Sequence, residues 1–232
     1  MKSLVCRLRF IHLSILFFLL KYSSFPIHTF RKFTRNNLLC AIEYEKDLEI
    51  SSKKAKIQIR NVVPDELFSV GNIFIDIFES SNLRNGPHRP AAASMVGQQF
   101  YDRITESEVN KFPYKLIAAV NCPNDFIGII EAGNYMGEVL GLSENLTFLS
   151  NLGVLPSYRR MGIATALVHA AEEYLRLVNC SSVYIAVENN NLVALRLYQS
   201  LNYISPDSDD FAEIEQRNDV TILQKRMVKS PL

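Results

Sequence analysis

The sequence has 232 residues, enough for one domain with a sizeable hydrophobic core or for two small ones. Its formal net charge of +1 conceals an asymmetry, because residues 1–42 contain seven Lys or Arg and no acid, which leaves 18 basic and 24 acidic residues in the rest of the chain. Residues 43–232 therefore carry a net charge of −6, which argues against nucleic-acid binding, since that function usually leaves a basic footprint. An acidic body suits basic substrates such as amines or lysine-rich peptides better.

The cysteine and histidine positions argue against a disulfide framework and against a metal site. No two cysteines form a C-x-x-C pair, and two of the four lie in the basic N-terminal segment. The histidines are scattered without the spacing of metal ligands, and lone histidines are usually surface or packing residues. These residues are Cys6, Cys40, Cys122, Cys180, His12, His28, His88 and His169. We expect no bound metal.

Residues 1–45 have the pattern of a targeting leader. The apolar run at residues 10–20 is too short for a membrane-spanning helix, which needs about 20 residues, so no stable span is expected. Its length suits a signal-peptide core, and the basic, acid-free stretch at residues 21–35 is typical of a transit peptide. That order resembles the bipartite leaders of plastids of algal ancestry, and it favours a plastid over a mitochondrion. A single organellar presequence and simple secretion remain as alternatives.

From residue 56 the chain alternates strand and helix patterns. Residues 56–63 alternate polar and apolar side chains, which predicts a half-buried strand. Pro64 and two acidic residues then favour the start of a helix. Its apolar positions recur at intervals of three and four: Leu67, Val70, Ile73, Phe74, Ile77 and Phe78. The Asn-Gly and Arg-Pro pairs within residues 82–93 predict a loop, and a weaker helical pattern follows at residues 94–104.

The second half of the chain continues the alternation. Two strands joined by the turn residues 121–125 predict a hairpin. The elements predicted in this half are strands at 114–120, 126–132, 146–155, 182–187 and 220–228, and helices at 164–178 and 192–201. There is no internal repeat. The order predicts an α/β fold with a mixed sheet, in a single domain over residues 46–232.

The junction between the strand at 146–155 and the helix at 164–178 carries a possible ligand site. A strand–loop–helix junction presents backbone N–H groups and the positive end of a helix dipole to an anion. Gly162 lets a ligand approach the backbone closely, and Arg159 and Arg160 add positive charge for a phosphate-bearing ligand. The chain contains neither G-x-x-x-x-G-K-[ST] nor G-x-G-x-x-G after a strand. The loop alone is consistent with a phosphate site or with a charged βα turn.

Two motifs together resemble the GNAT acetyltransferases. Arg159-x-x-Gly162-x-Ala164 has the form of that family's [QR]-x-x-G-x-[GA] signature. The segment 191–203, which begins 29 residues after Gly162, resembles the family's N-x-x-A-x-x-L-Y-x-x-x-G-[FY] and follows a predicted strand. Asn202 replaces the usual glycine, and asparagine tolerates the left-handed conformation better than most residues. The resemblance covers residues 56–228, is strongest over 147–203, and excludes the leader.

The resemblance implies a single domain with a mixed, mostly antiparallel sheet of six to seven strands, flanked by about four helices and splayed at its central strands. It implies acetyl-CoA as co-substrate, and direct transfer of the acetyl group to an amine without a covalent enzyme intermediate. The strand edge at Leu152 and Val154 is expected to pair with the pantetheine amides, and backbone amides from Arg159 to Thr165 to hold the pyrophosphate. Asn191 is expected either to contact the pantetheine or to cap the following helix. The full set of expected cofactor-binding residues is Leu152, Val154, Arg159, Arg160, Met161, Gly162, Ile163, Ala164, Thr165, Asn191 and Tyr198.

Tyr198 is the candidate catalytic residue, a general acid that protonates the departing thiolate. A thiol with a pKa of about 8.5 and a phenol with a pKa of about 10 are close enough for such a transfer. The alternative is that Tyr198 only packs on its helix face with Leu195 and Leu201.

The general base is not identified. The resemblance places the family's amine-facing positions at Phe148 and Ala186, neither of which can accept a proton. Three carboxylates could accept a proton, but they are expected to be solvated surface charges: Glu131, Glu138 and Glu188. A base that acts through water, or an amine that arrives neutral, stays open.

The resemblance favours an enzyme that acetylates protein N-terminal α-amines, and also lysine ε-amines. Its partner would then be a protein or peptide amine, with no nucleic acid. The alternatives are acetylation of a small amine or polyamine, and a GNAT module that binds acyl-CoA without catalysis. The segments at residues 82–113 and 133–146, which are expected to shape the acceptor pocket, carry no motif that identifies the substrate.

Overall fold

In the part of the chain that the structure describes, seven strands form one sheet whose spatial order is the order of the chain. The computed structural model describes residues 45–50, 55–121, 125–134, 146–206 and 211–227, which belong to one compact unit. The strands are β1 (Glu45–Ile50), β2 (Ala55–Asn61), β3 (Tyr114–Asn121), β4 (Asp125–Gly133), β5 (Phe148–Val154), β6 (Ser182–Glu188) and β7 (Val220–Arg226). Neighbouring strands are antiparallel except for β5 and β6, which are parallel. The predicted mixed, mostly antiparallel sheet is confirmed.

The helices cover both faces of this sheet. They are α1 (Leu67–Phe78), α2 (Ser81–Arg84), α3 (Arg89–Asn110), α4 (Ile163–Leu177), α5 (Leu192–Ser200) and α6 (Ala212–Asn218). Two short 3₁₀ turns, Pro64–Glu66 and Pro156–Tyr158, precede α1 and α4. The described part of the chain thus has six helices, where about four were expected, because α2 and α6 lie in segments that had been predicted as loop or left unassigned.

Alternate side chains of the strands enter two separate apolar cores. On one face, Leu116, Ala118 and Ile129 pack under α1 and α3. On the other face, Ile117, Ile130 and the residues of α4 and α5 form the larger core. In β2, which the period-two pattern predicted, buried Ile57 and Ile59 alternate with the partly exposed Gln58 and Arg60.

The α3 helix corrects the loop predicted at residues 82–93. It begins at Arg89 and runs for 22 residues, well beyond the predicted helix at 94–104. Pro90 lies in its first turn, where a missing N–H breaks no helical hydrogen bond. Arg89 also forms two hydrogen bonds with the Asp76 carboxylate of α1, at 2.6 and 2.9 Å. The loop prediction was wrong here because Pro90 lies in the first turn of a helix.

Glycines allow α1 and α3 to cross in close contact. A Cβ built on Gly71 would lie 2.1 Å from the carbonyl oxygen of Ala93, and one on Gly97 would lie 2.8 Å from the carbonyl oxygen of Leu67. The two helices therefore approach backbone to backbone at this crossing. The close approach fixes the position of α1, which also covers β5.

Besides α2, two elements were not predicted. The β1 strand pairs with β2 along its whole length, from Glu45 opposite Arg60 to Ile50 opposite Ala55. Its first residue lies within the segment assigned to the leader, so the predicted boundary at residue 46 cuts this strand. The α6 helix precedes β7, and the Glu215 carboxylate accepts a hydrogen bond from the Ile222 amide at 2.6 Å.

No helix among the described residues is both long and apolar enough to cross a membrane.

Candidate active site

The sheet splits between β5 and β6. Within the described ranges these parallel strands share one pair of partner residues, Phe148 and Tyr184, and the Tyr184 amide donates to the Thr147 carbonyl at 2.9 Å. Beyond that point β5 stays paired with β4, and β6 stays paired with β7. The predicted splay at the central strands is confirmed.

The edge of β5 that faces the split carries backbone groups of Leu152 and Val154. The Leu155 amide donates to the Ile127 carbonyl of β4 at 2.9 Å, so the backbone groups of Leu155 point toward β4. Because these groups alternate along a strand, those of Val154 and Leu152 point away from β4. The Val154 carbonyl already accepts the Arg159 Nε at 3.0 Å, which ties the following loop to this edge.

A β-bulge produces this orientation. Glu131 of β4 pairs with Ser150 and Ile129 pairs with Gly153, so two residues of β5 lie opposite one residue of β4. One of the two is Asn151, whose φ of +50° lies in the left-handed region that asparagine tolerates. The extra residue shifts the alternation of β5, so that Leu149, Leu152 and Val154 all face the α4 side.

The buried side chain of Glu131 holds the bulge in place. The prediction that Glu131 is a solvated surface charge is therefore wrong. Its side chain is fully buried. The carboxylate accepts hydrogen bonds from Arg103 of α3 at 2.8 Å, from the Tyr114 hydroxyl at 2.6 Å, and from the side-chain amide of Asn151. A buried carboxylate is stable only with such partners. Glu188 is exposed as expected, and Glu138 lies outside the described residues.

Gly153 brings α1 onto the bulged strand. A Cβ on this residue would lie 2.4 Å from Cγ2 of Ile77 and 2.7 Å from Cζ of Phe78. These are the last two residues of α1, so the end of that helix covers the strand just where β5 leaves the sheet. Any larger residue at 153 would push the two elements apart.

The loop after β5 leads directly into the N-terminus of α4. Arg160 and Gly162 have φ values of +66° and +79°, and Gly162 is the residue before the first turn. No side chain of the described residues caps this helix, so within that part of the chain the first-turn amides, from Ile163 to Thr165, are available to an outside acceptor. A Cβ on Gly162 would meet no described atom within 4 Å, so the turn is open on this side. The arrangement suits an anionic group.

The side chains of the expected loop residues divide into two groups. Arg159 and Arg160 are exposed, whereas Ile163 is buried in the core with Tyr198. Leu152, Met161 and Ala164 are partly buried and pack against the same core, and Thr165 is half-buried. The structure therefore brings the strand edge, the loop and α5 together around one apolar cluster.

Asn191 caps α5. Its side-chain oxygen accepts the Ala194 amide at 3.1 Å, and its φ and ψ are those of a residue outside the helix. The second of the two roles expected for Asn191 is the one that this structure shows. Asn202 adopts the left-handed conformation with a φ of +65°, so the turn after α5 forms without glycine, as expected.

Tyr198 is almost fully buried, and its ring lies edge-on to that of Tyr203, with 5.6 Å between the ring centroids. Its hydroxyl forms no hydrogen bond with the described residues. Burial raises the pKa of Tyr198, so the hydroxyl stays protonated at neutral pH. The ring packing expected for a core residue is present, together with a hydroxyl that has no structural partner in the described chain.

An aromatic cluster lies on the opposite face of the sheet. Phe148 is fully buried, with its ring 5.7 Å from that of Tyr184, and Tyr184 lies 5.4 Å from Phe211. The side-chain amide of Gln224 donates to the Tyr184 hydroxyl at 3.0 Å. Ala186 lies two residues further along the same face of β6. Sequence reasoning did not single out Tyr184, although the alternation of β6 places it beside Ala186.

Two further features bear on possible ligands. Among the described residues, no group of three or more His, Cys, Asp or Glu side chains could hold a metal ion. A cavity of about 370 Å³ lies between α1 and the start of β4, beside Leu155 and Tyr158. Asp125 and Asp76, the latter paired with Arg89, line it, and no Lys or Arg is among its described lining residues, so it does not suit a phosphate-bearing ligand.

Comparison with known sequences gives a family match. The sequence model of the acetyltransferase (GNAT) family matches residues 77–203. A chloroplastic GCN5-related N-acetyltransferase of Arabidopsis thaliana is 34% identical over 82 residues, which cover 35% of this chain and 28% of that protein. An acetyltransferase of Sodalis glossinidius is 28% identical over 108 residues, which cover 46% of this chain and 68% of that protein. The chain thus spans less than a third of the Arabidopsis relative.

Comparison with solved structures supports the fold. The PaiA N-acetyltransferase of Thermoplasma acidophilum, solved with coenzyme A, has a TM-score of 0.52 at 17% identity, covering 73% of this chain and 98% of that one. The GNAT domain of a Streptomyces lividans protein has a TM-score of 0.53 at 13% identity, covering 78% and 96% of the two chains. At these identities the likeness concerns the fold alone.

Glu131→Gln should destabilise the domain by about 3 kcal/mol, because it removes the buried charge that pairs with the partly buried Arg103 guanidinium. Urea denaturation followed by circular dichroism measures the loss. Glu188→Gln is the matched control, since Glu188 is exposed and its replacement should change stability by less than about 0.5 kcal/mol. Equal midpoints for the two variants would show that the Glu131 cluster does not hold the bulge.

Proposed function

The chain belongs to the GNAT acetyltransferase family, and from that premise we propose that it transfers the acetyl group of acetyl-CoA to protein amines, N-terminal α-amines first and lysine ε-amines second. One observation carries the proposal: the edge of β5 that faces the split leads through an open turn to the N-terminus of α4, which no described side chain caps. A long ligand with amides at one end and phosphates at the other fits such a path.

The residues at hand suit acetyl-CoA. Backbone groups of Leu152 and Val154 point into the split, where they would pair with the amides of the pantetheine arm. The uncapped amides of Ile163, Ala164 and Thr165 would bind the pyrophosphate. Arg160 is exposed beside them and adds positive charge. The cofactor supplies an activated acetyl thioester.

Tyr198 would deliver the proton that the departing thiolate needs. Its raised pKa keeps the proton in place at neutral pH, but it also makes the phenol a weaker acid than its ordinary value suggests. The same apolar surroundings disfavour a free thiolate and so raise the thiol pKa as well. Because the pKa of the phenol and the pKa of the thiol are both raised, the two values stay close enough for proton transfer.

Removal of the amine proton would fall to solvent. Phe148 and Ala186 have no basic atom, and the Glu131 carboxylate is fully engaged with Arg103, Tyr114 and Asn151 beneath the bulge. An amine that enters neutral, or that loses its proton to water in the split, satisfies the reaction without a side-chain base.

Charge and targeting support protein amines in an organelle. The net charge of −6 over residues 43–232 attracts cationic substrates. The leader pattern and the chloroplastic location in the name of the Arabidopsis relative both favour a plastid. We place the start of the catalytic domain just before Glu45, because β1 begins there.

The substrate class is tested by incubating the protein with acetyl-CoA and three sets of acceptors: peptides with free N-termini and no lysine, N-terminally blocked peptides with lysine, and polyamines. Mass spectrometry should find +acetyl first on the free N-termini. Turnover of polyamines alone would contradict the proposed substrate class. If none of the three sets is acetylated while acetyl-CoA binds, the protein is a binding module rather than an enzyme.

Gly162→Asp should weaken acetyl-CoA binding by a large factor, because the new carboxylate lies beside the proposed pyrophosphate site. At about 4 Å and an effective dielectric of about 20, the repulsion is on the order of 4 kcal/mol. Gly162→Asn is the matched control: it has the same size and the same strain at a φ of +79°, but no charge. Calorimetry should show a much larger loss for Asp than for Asn. The phosphate assignment fails if the two variants bind alike.

Tyr198→Phe should lower kcat by roughly 10²–10³ and leave KM for acetyl-CoA nearly unchanged, because only a proton donor is lost while the ring still packs. The measurement is steady-state kinetics under conditions in which chemistry limits turnover. An unchanged kcat would remove Tyr198 from the mechanism. A raised KM with a small fall in kcat would indicate that the hydroxyl binds the cofactor instead.

A further inference from the structure

A second buried carboxylate, Glu172, lies in the middle of α4 and forms no hydrogen bond with Tyr198. Its side chain is fully buried, in the core that α4 shares with α5. Burial of a carboxylate is costly and is offset only by close, well-placed partners. The position of Glu172 therefore depends on the groups that surround it.

Four groups from three parts of the chain face this carboxylate. Its Oε1 accepts the Tyr203 hydroxyl at 3.0 Å and the Lys225 ammonium of β7 at 2.8 Å. Its Oε2 accepts Arg176 at 3.1 Å, and Nδ1 of the exposed His169 lies 3.7 Å away. Glu172 thus connects α4, the turn after α5, and β7.

Tyr203 carries this connection to Tyr198. Its amide donates to the Tyr198 carbonyl at 3.0 Å, and its ring is edge-on to the Tyr198 ring. The Lys225 ammonium, which also donates to Glu172, lies 5.3 Å from the Tyr203 ring centroid, over one face of the ring. Tyr203 is therefore held by its backbone amide, by its hydroxyl group and by the ammonium group over one face of its ring.

Tyr198 needs such support because its own hydroxyl has no hydrogen bond to the described residues. The direction of that hydroxyl is set by the packing of its ring, and Tyr203 provides an aromatic wall of that packing. A small rotation of Tyr203 would move the Tyr198 oxygen, and misplacement of a reacting group by about 1 Å can cost on the order of 10²-fold in rate.

We propose that Glu172 is a positioning residue for the reaction: by accepting the Tyr203 hydroxyl it fixes the Tyr203 ring against Tyr198 and holds the Tyr198 hydroxyl in one place. The inference rests on the proposed role of Tyr198 as proton donor. The Glu172 cluster would then have two roles: it attaches β7 to α4 and it positions the Tyr198 hydroxyl.

A double-mutant cycle tests the proposal in the full-length protein. Tyr203→Phe keeps the ring and removes the hydroxyl that Glu172 accepts. It should lower kcat by about tenfold in the wild-type background, with KM for acetyl-CoA unchanged. In the Tyr198→Phe background it should have almost no effect, because there is no longer a hydroxyl to position.

Tyr174→Phe is the matched control. Tyr174 is also a buried tyrosine on the α4 side, and its hydroxyl donates to the Tyr114 carbonyl at 3.1 Å rather than to Glu172. It should lower the melting temperature about as much as Tyr203→Phe and leave kcat unchanged in both backgrounds. Glu172→Gln, whose amide oxygen can still accept the Tyr203 hydroxyl, should retain more of kcat than Glu172→Met.

The outcomes separate the inference from the function on which it rests. Equal losses from Tyr203→Phe in both backgrounds, or no loss in either, would overturn the positioning role while leaving Tyr198 as the acid. Equal kcat in the two Glu172 variants would also overturn it. If Tyr198→Phe alone leaves kcat unchanged, the proposed acid has failed, and the inference fails with it.

Discussion

The divergence of β5 from β6 is the constraint on which the site depends. Two neighbouring parallel strands normally satisfy each other's backbone groups, yet here they pair at a single position before they separate. The sheet survives because β4 and β7 hold the outer edges of the split by antiparallel pairing. The apolar core around α4 spans it as well, since the helix packs with side chains of β4, β5 and β6 together. The pairing with β4 and β7 and the core around α4 thus stabilise the sheet where β5 and β6 no longer pair.

Local patterns in the sequence predicted the parts of the fold that depend on local burial. The alternation in β2, the hairpin pattern of β3 and β4 and the apolar stripe of α1 predicted the correct element types, because each pattern depends on burial of positions that are close in the chain. The β1 strand was missed because its charged sequence lies next to the leader. The start of α3 was missed because Pro90 was taken as a loop residue, and its tolerance depends on lying in the first turn.

The candidate site was predictable only where a motif marks it. The turn at Gly162, the cap at Asn191 and the left-handed Asn202 all follow from short-range chemistry that a sequence displays. Burial of Glu131 does not, because its partner Arg103 is 28 residues away and meets it only after α3 has crossed the sheet. The same holds for Glu172, whose partner on β7 is 53 residues away. From sequence alone, a Glu or Asp is predicted to be exposed unless the distant residues that pair with it are known.

The two faces of the sheet divide the proposed reaction between them. Tyr198 lies on the α4 and α5 face, in the core that includes Leu149 and Ile185. Phe148 and Tyr184 are the strand neighbours of those two residues, so their side chains point to the opposite face. The proposed proton donor and the expected amine-facing positions, Phe148 and Ala186, are therefore separated by the thickness of the sheet, and they can serve one reaction only through the split between β5 and β6. A continuous sheet would keep them apart, so the bulge at Asn151 and the buried Glu131 that holds it bear on chemistry as much as on stability.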